Sequence, residues 1–530
     1  MRKITLFLLM VLVSHTLFAQ FKMIAESPLI DEPEKGFTKI LLLKNGYTAY
    51  FHFSKKDGFD VKLYDEKHQL KVEKHHVPSY NKLKSASIEG LFEINGNIVL
   101  MVSEWDDKTP VLYRFVIDGK TAGILSTESI AQLDRLNYPK RAALKFDVPI
   151  PGFWVKKDPG SDHYALAMMH SFESDRNKRI EVIYYGPDHK EIGHAFYTSP
   201  EGKYKYMNYI DMAVIGRQTV CILAYGYNTK ASGGEEEELV IANLDAGAKE
   251  VRVKKLDFTH NVSITGAIVR YNPGTKKLNL LASALKDRKS NTVVSYLVFL
   301  DPFTGVLDAQ HEIYPAQAVT KSFEVFGSKD PFKGTPQNFH IQPDGSFAVM
   351  YEEAEIYMSF EKGKTDNGGL NRLAIGFFDV MGKEIRSYLV PKRQYMYHTP
   401  MYPFYQLDRE TRGQEMHWEN QYKSFTYLSG PKKSYVLMND IERNREAIKK
   451  GKLVMIQGVH ECDAYYFPLN GEEVMPDRAY FFGHPENKKI HNMSMFTISS
   501  YNHELNLLAT LKMEDIADKK NVRIVWLNPE

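Results

Sequence analysis

The chain has 530 residues, a length that favours about three domains, although all-β chains often exceed that rule. Its 68 basic and 66 acidic residues leave a formal net charge of +2, and two of the basic ones, Arg2 and Lys3, stand at the N-terminus. The other 66 basic residues are balanced by the 66 acidic ones, which removes the basic excess that a nucleic-acid-binding protein uses, so no nucleic acid is expected as a partner.

The N-terminus has the pattern of a secretory signal peptide. Arg2 and Lys3 precede an apolar run of ten residues, 4–13, which is too short to span a bilayer. A cleavage site follows between Ala19 and Gln20, and the lack of a Cys after it argues against a bacterial lipoprotein anchor. No later run reaches transmembrane length. We therefore predict a signal peptide over 1–19 and a secreted or periplasmic mature protein with no transmembrane segment.

A short apolar strand that ends at a turn-forming residue recurs along the chain. The eight copies, spaced by roughly 50 to 90 residues, are residues 61–65, 115–119, 183–188, 241–245, 298–302, 376–379, 465–471 and 524–529. A strand-and-turn pattern that recurs at such spacing is typical of a repeat architecture.

Each copy follows an earlier hairpin. Tight turns at 45–46, 95–96 and 158–160 join apolar runs in the first three repeats, and Asn-Gly and Pro-Gly turns of this kind are strong hairpin signals. Two hairpins per repeat predict four antiparallel strands. The second strands, such as residues 98–102 and 220–224, are apolar without alternation, which is typical of strands buried on both faces.

Four-stranded sheets covered on both faces by their neighbours resemble the blades of the β-propeller superfamily. The resemblance covers nearly the whole of residues 20–530, but it is to the architecture alone, because no signature of a named propeller family is present. We predict a single all-β propeller of eight four-stranded blades. Seven blades, or two smaller β domains, remain the alternatives.

The last repeat has only three strands before the chain ends. Residues 21–24, directly after the predicted signal peptide, could supply the fourth as an outer strand, which would join the two ends of the chain and remove a free sheet edge. We therefore expect an N-terminal strand to close the ring.

The longest loops fall between second and third strands and between repeats, and both classes emerge on one face of an up-and-down blade. Long loops on a rigid scaffold are where binding residues concentrate. The inter-repeat segment 391–423 is rich in aromatic and charged residues and is predicted to be a loop insertion. The candidate ligand-binding residues on this face are Arg393, Tyr395, Tyr397, His398, Tyr402, Arg409, Arg412, Trp418 and, from another loop, Trp105.

These residue types favour a secreted, non-catalytic binding or scaffold propeller that recognises a glycan or an envelope protein. The rival hypothesis is a carbohydrate-active hydrolase or lyase with its site in the central funnel, and its catalytic residues cannot be named. A third hypothesis is a structural module of an envelope assembly. The sequence has no nucleophile motif, phosphate loop, metal set or cofactor motif. The acidic residues Glu352, Glu353 and Glu355 are interpreted as a solvated loop.

Overall fold

The computed structural model describes residues 21–54, 57–78, 86–106, 108–136, 152–170, 173–228, 237–256, 263–286, 293–327, 329, 331–357, 367–397, 403–417, 419–485, 489–516 and 519–529. Within them the strands form eight antiparallel sheets, each built around four strands. The eight-bladed, all-β propeller predicted from the repeats is therefore confirmed. The predicted signal peptide lies outside the described residues.

The first four blades follow one another along the chain. After the N-terminal strand β1 (Phe21–Glu26), their strands are β2 (Gly36–Leu42), β3 (Thr48–Ser54), β4 (Gly58–Tyr64) and β5 (Leu70–His76) in blade one; β6 (Ser87–Ile94), β7 (Asn97–Asp106), β8 (Thr109–Ile117) and β9 (Ile124–Gln132) in blade two; β10 (Gly152–Lys157), β11 (Tyr164–Met169), β12 (Ile180–Tyr185) and β13 (Glu191–Tyr197) in blade three; and β14 (Tyr206–Ile215), β15 (Thr219–Tyr227), β16 (Glu237–Asp245) and β17 (Arg252–Lys255) in blade four.

The last four blades are less regular. Their strands are β18 (Ser263–Asn272), β19 (Lys277–Leu285), β20 (Val293–Leu300) and β21 (Leu307–Ile313) in blade five; β22 (Thr335–Ile341), β23 (Phe347–Tyr357), β24 (Asn367–Phe378) and β25 (Glu384–Val390) in blade six, to which β26 (Gln394–Met396) adds; β27 (Gln414–Met416), which joins blade one beside β2; β28 (Phe425–Ser429), β29 (Ser434–Asp440), β30 (Asp463–Pro468) and β31 (Ala479–Tyr480) in blade seven; and β32 (Ile490–Ser494), β33 (Ser500–Asn502), β34 (Leu507–Ile516) and β35 (Lys519–Pro529) in blade eight.

In the described residues, three short α-helices lie in the connections between strands. They are α1 (Ala316–Phe326), between blades five and six, α2 (Leu407–Arg412), within the 391–423 segment, and α3 (Arg443–Ile448), in blade seven. Single 3-10 turns occur at Arg176–Lys178, Pro200–Gly202, Asn420–Tyr422 and Phe496–Ile498.

The hydrophobic core lies between the blades. In β7, alternate residues face opposite neighbours: Ile98 and Leu100 pack with blade one, whereas Val99 and Met101 pack with blade three. All four are fully buried. Burial on both faces explains why the second strands are apolar without alternation, since each such side chain gains roughly 1.5–3 kcal/mol on leaving water.

The N-terminal strand closes the ring as predicted. It pairs antiparallel with β35, from Phe21 opposite Pro529 to Glu26 opposite Val525, and forms the outer edge of blade eight. Phe21 packs onto blade seven, where its ring lies 4.9 Å from that of Tyr435 and 4.6 Å from that of Phe481, centroid to centroid. The first described strand therefore joins the last two blades.

The final repeats differ from their predicted form. In blade eight, the first of the three expected strands is divided: β32 and β33 both pair with β34, and the 3-10 turn Phe496–Ile498 lies between them. The fourth strand of blade seven has only two residues, Ala479 and Tyr480. The interruption of blade eight places the Phe496–Ile498 turn in the wall of the cavity at the centre of the ring, which is described below.

Candidate functional site

A cavity of about 1010 Å³ occupies the centre of the ring. All eight blades contribute to its wall through β2, β6, β10, β14, β18, β22, β28 and the Phe496–Ile498 turn. The helix α2 and the residue before it complete the wall through Gln406, Arg409, Glu410 and Thr411. We call this space the central cavity.

The central cavity lies toward the short hairpin turns. Its lining residues 155–161, 212–216 and 338–343 are the C-terminal ends of first strands and the turns that follow them. The 391–423 segment is anchored at the opposite ends of first strands: the Phe404 amide donates to the Pro336 carbonyl (3.0 Å), and Gly36 pairs with Met416. The segment predicted as a binding loop therefore supplies the cavity wall on the long-loop side.

Positive charge predominates in the described lining. Five cationic residues, Lys39, Lys156, Lys157, Arg270 and Arg409, face two acidic ones, an excess of three positive charges. Burial lowers the pKa of Lys39 to about 8, against the opposing effect of Glu410, and burial also lowers the pKa of Lys156. A positive charge that burial destabilises is relieved by an approaching anion.

Glu410, one of the two acidic residues of the described lining, lies on α2 and accepts hydrogen bonds from residues of three blades. Its Oε2 accepts a hydrogen bond from Arg270 Nη2 (3.1 Å), and its Oε1 accepts one from Asn338 Nδ2. Lys39 Nζ donates to the Glu410 backbone carbonyl. One carboxylate therefore joins blades five and six.

Asp158, the second acidic residue of the lining, holds the hairpin turn of blade three. Its carboxylate accepts hydrogen bonds from the amides of Gly160 (3.0 Å) and Gly216 (2.9 Å) and from the Ser161 hydroxyl (2.6 Å). Both carboxylates of the described lining are thus engaged by fixed donors.

Aromatic rings form part of the wall next to the charges. The imidazoles of His340 and His503 stack with centroids 6.1 Å apart, and the Tyr427 ring lies 5.7 Å from that of His340. Burial, followed by the effect of His503, lowers the pKa of His340 to about 4, so this imidazole is neutral at neutral pH. The wall therefore combines neutral aromatic rings with cationic donors.

Of the described residues predicted to bind ligand, Arg409 lines the central cavity. Its guanidinium donates to the Phe425 carbonyl (3.0 Å) and the Ser424 hydroxyl (3.4 Å), and burial lowers its pKa. Arg412 ends α2 and is not among the lining residues. His398, Tyr402 and Trp418 lie outside the described residues.

The other predicted residues lie away from the lining. Tyr395 and Tyr397 meet edge to face with centroids 5.0 Å apart, and Lys423 Nζ lies 4.9 Å from the Tyr397 ring centre. Arg393 donates to the Leu453 carbonyl (3.3 Å). Trp105 is 9% exposed and lies in β7 near its end, rather than in a loop.

Sequence reasoning missed most of the cavity wall, although a signal was present. Lys156, Arg270 and His340 each stand within two residues of the end of a first strand. The first strands of a propeller face its channel, so polar residues at matching positions predict a shared wall.

The acidic residues Glu352 and Glu353 lie within β23, not in a loop, and they correct another expectation. Glu352 is fully buried and pairs with Lys392, while the Tyr405 hydroxyl donates to the same carboxylate. Glu353 pairs with Arg372 through two guanidinium nitrogens, at 2.7 and 2.8 Å. The interpretation of Glu352 and Glu353 as a solvated acidic loop was wrong, because each carboxylate has a buried cation opposite it.

Neither a metal cluster nor a membrane-spanning helix is present in the described residues. Over these ranges, no cluster of three or more His, Cys, Asp or Glu side chains is arranged to hold a metal ion. In the same part of the chain, no helix is long and apolar enough to cross a membrane.

Several solved structures are distantly similar to this chain. Porphyromonas gingivalis dipeptidyl peptidase 4 is 10% identical with a TM-score of 0.42, over 92% of this chain and 59% of that one. The polysaccharide lyase Uly1 is 8% identical with a TM-score of 0.35, over 86% and 93%. An uncharacterised Listeria monocytogenes protein is 11% identical with a TM-score of 0.33, over 81% and 96%. No protein-family model and no curated protein matches the chain. The propeller architecture is therefore assigned from the strand order itself.

Proposed function

We propose that this protein is a secreted or periplasmic, non-catalytic binding propeller that holds a glycan in its central cavity. The observation that carries the proposal is the cavity of about 1010 Å³, which all eight blades line and on which polar or aromatic side chains from seven of them converge. Its volume is at the upper end of ordinary ligand sites, which are about 300–1,000 Å³. A short saccharide matches that size.

The chemistry of the wall supports a saccharide. Sugar rings have apolar faces that pack on flat side chains, and the stacked imidazoles of His340 and His503 provide such a surface. Lys39, Arg270 and Asn338 lie on the same wall and can donate hydrogen bonds to hydroxyl or acidic groups.

Binding is favoured over glycoside cleavage by the state of the lining carboxylates. A glycosidase requires two carboxyl groups with separate tasks, one of them kept protonated by its surroundings. Here Asp158 is held by two backbone amides and a hydroxyl, and Glu410 is held by Arg270 and Asn338. Both carboxylates are therefore engaged by groups of the protein itself, whereas the carboxyl groups of a glycosidase must reach the glycosidic bond.

The cavity is favoured over the long-loop face as the place of binding. The described part of the 391–423 segment packs against first strands and contributes α2 to the cavity wall. An envelope protein on the long-loop face remains the alternative, and it would engage Tyr395 and Tyr397 instead.

The proposal is tested by titration calorimetry of the mature protein against neutral and acidic oligosaccharides, with two matched variants. His340→Ala removes a ring from the cavity wall, whereas His75→Ala removes an exposed imidazole from the outer strand β5. We expect a saccharide to bind, His340→Ala to weaken it roughly three- to tenfold, and His75→Ala to match the unmodified protein. No binding by any saccharide, or equal binding by both variants, would contradict the proposal.

A further inference from the structure

We infer that the central cavity selects a carboxylate-bearing saccharide, and that Glu410 occupies the position of the ligand carboxylate in the free protein. This inference rests on the proposed function and names the class of ligand. It makes α2 an intramolecular competitor: the ligand takes over the donors that Glu410 now uses.

The donors around Glu410 form a carboxylate site. Arg270 Nη2 and Asn338 Nδ2 come from β18 and β22, on neighbouring blades, and each donates to a different oxygen of one carboxylate. A guanidinium and an amide that each donate a hydrogen bond to a different oxygen fit the planar, two-oxygen geometry of a carboxylate. The class of ligand is thus indicated by the group already bound there.

The donors and the acceptor differ in how firmly they are held. The Arg270 side chain is 15% exposed and the Glu410 side chain is 52% exposed. Arg270 and Asn338 lie on first strands of the ring, whereas Glu410 lies on a six-residue helix in a connection between blades. Because the Glu410 side chain is half-exposed and belongs to a short connecting helix, its carboxylate can be displaced while the two donors stay in place.

Once Glu410 is displaced, the positive charge of the lining favours an acidic ligand. Without Glu410, the described lining would have five cations opposite Asp158 alone. Lys156 is paired with Asp211 (2.9 Å), and the burial that lowers the pKa of Lys39 would no longer be offset by Glu410. A ligand carboxylate restores the lost interaction, and a ligand with several carboxylates adds to it.

The test uses trigalacturonate and its methyl ester as probes. The two have the same sugar skeleton, and only the free acid carries carboxylates. Binding to each is measured by titration calorimetry for the unmodified protein, Glu410→Gln, Glu415→Gln and Arg270→Gln. Glu415 is an exposed residue of β27 in the same segment, so Glu415→Gln makes the same charge change outside the cavity wall.

We expect trigalacturonate to bind more tightly than its ester. Glu410→Gln should bind trigalacturonate roughly three- to tenfold more tightly than the unmodified protein, because the competing carboxylate is gone. Glu415→Gln should leave affinity unchanged, and Arg270→Gln should weaken binding at least about tenfold.

The failures of the two proposals can be told apart. If the ester and the acid bind equally and Glu410→Gln has no effect, the cavity still binds a saccharide but the inference about Glu410 is overturned. Weaker trigalacturonate binding by Glu410→Gln would also overturn it, since Glu410 would then hold the ligand. If neither probe nor any other saccharide binds, both proposals are refuted.

Discussion

Replacing Phe21 by Ala should weaken the closure of the ring. The Phe21 side chain is 5% exposed and touches three aromatic rings of the blade-seven side, with centroids 4.9 Å from Tyr435, 5.2 Å from Tyr466 and 4.6 Å from Phe481. Truncating a buried Phe to Ala costs about 3–5 kcal/mol, through lost transfer energy and the cavity left behind. With an unfolding entropy of about 2.1 cal/mol/K per residue, a chain of this length should lose roughly 3–5 °C in Tm.

The measurement is thermal unfolding followed by circular dichroism, with Met23→Ala as the matched control. Met23 lies on the same strand and is 37% exposed, so its truncation should lower Tm by less than about 1 °C. Deleting residues 20–30 removes the whole of β1 and should lower Tm further. Equal Tm values for Phe21→Ala and Met23→Ala would refute the role assigned to β1, and so would an unchanged Tm after the deletion.

Two more predictions concern buried charge. Because the pKa of Lys39 is lowered to about 8, Lys39 is protonated below that pH and loses its charge above it; affinity for trigalacturonate should therefore fall as pH rises from 7 to 9. Titrations across this range should show a smaller fall for Lys39→Gln, and an equal fall in both proteins would assign the effect to another group. Lys392→Met leaves the buried Glu352 without its counter-ion, which should cost about 3–5 kcal/mol. Urea unfolding should show this loss partly restored in Lys392→Met/Glu352→Leu, and a single variant as stable as the unmodified protein would contradict the argument.

The fold was predictable because its signals are local. Turn residues such as Asn45-Gly46 mark hairpins by their own conformational preference, with Gly46 at a φ of +83°. The apolar run of β7 reflects burial on both faces, which is a property of one strand. Blade eight was less predictable, because its first strand is interrupted by the Phe496–Ile498 turn and is held by contacts distant in the chain.

The candidate site was less accessible to sequence reasoning because it depends on distant contacts. Glu410 meets Asn338 across 72 positions and Arg270 across 140. The aromatic content of 391–423 indicated exposed binding residues, but parts of that segment pack on the ring instead, as Tyr422 does with 1% exposure. Composition cannot distinguish aromatic residues that bind a ligand from those that anchor a connection.

The most direct test of the account is a crystal structure of residues 20–530 with trigalacturonate. The account predicts the saccharide in the central cavity, with one carboxylate on Arg270 and Asn338 and with the Glu410 side chain displaced from both. A saccharide on the long-loop face near Tyr395 and Tyr397, with Glu410 still bound to Arg270, would contradict it.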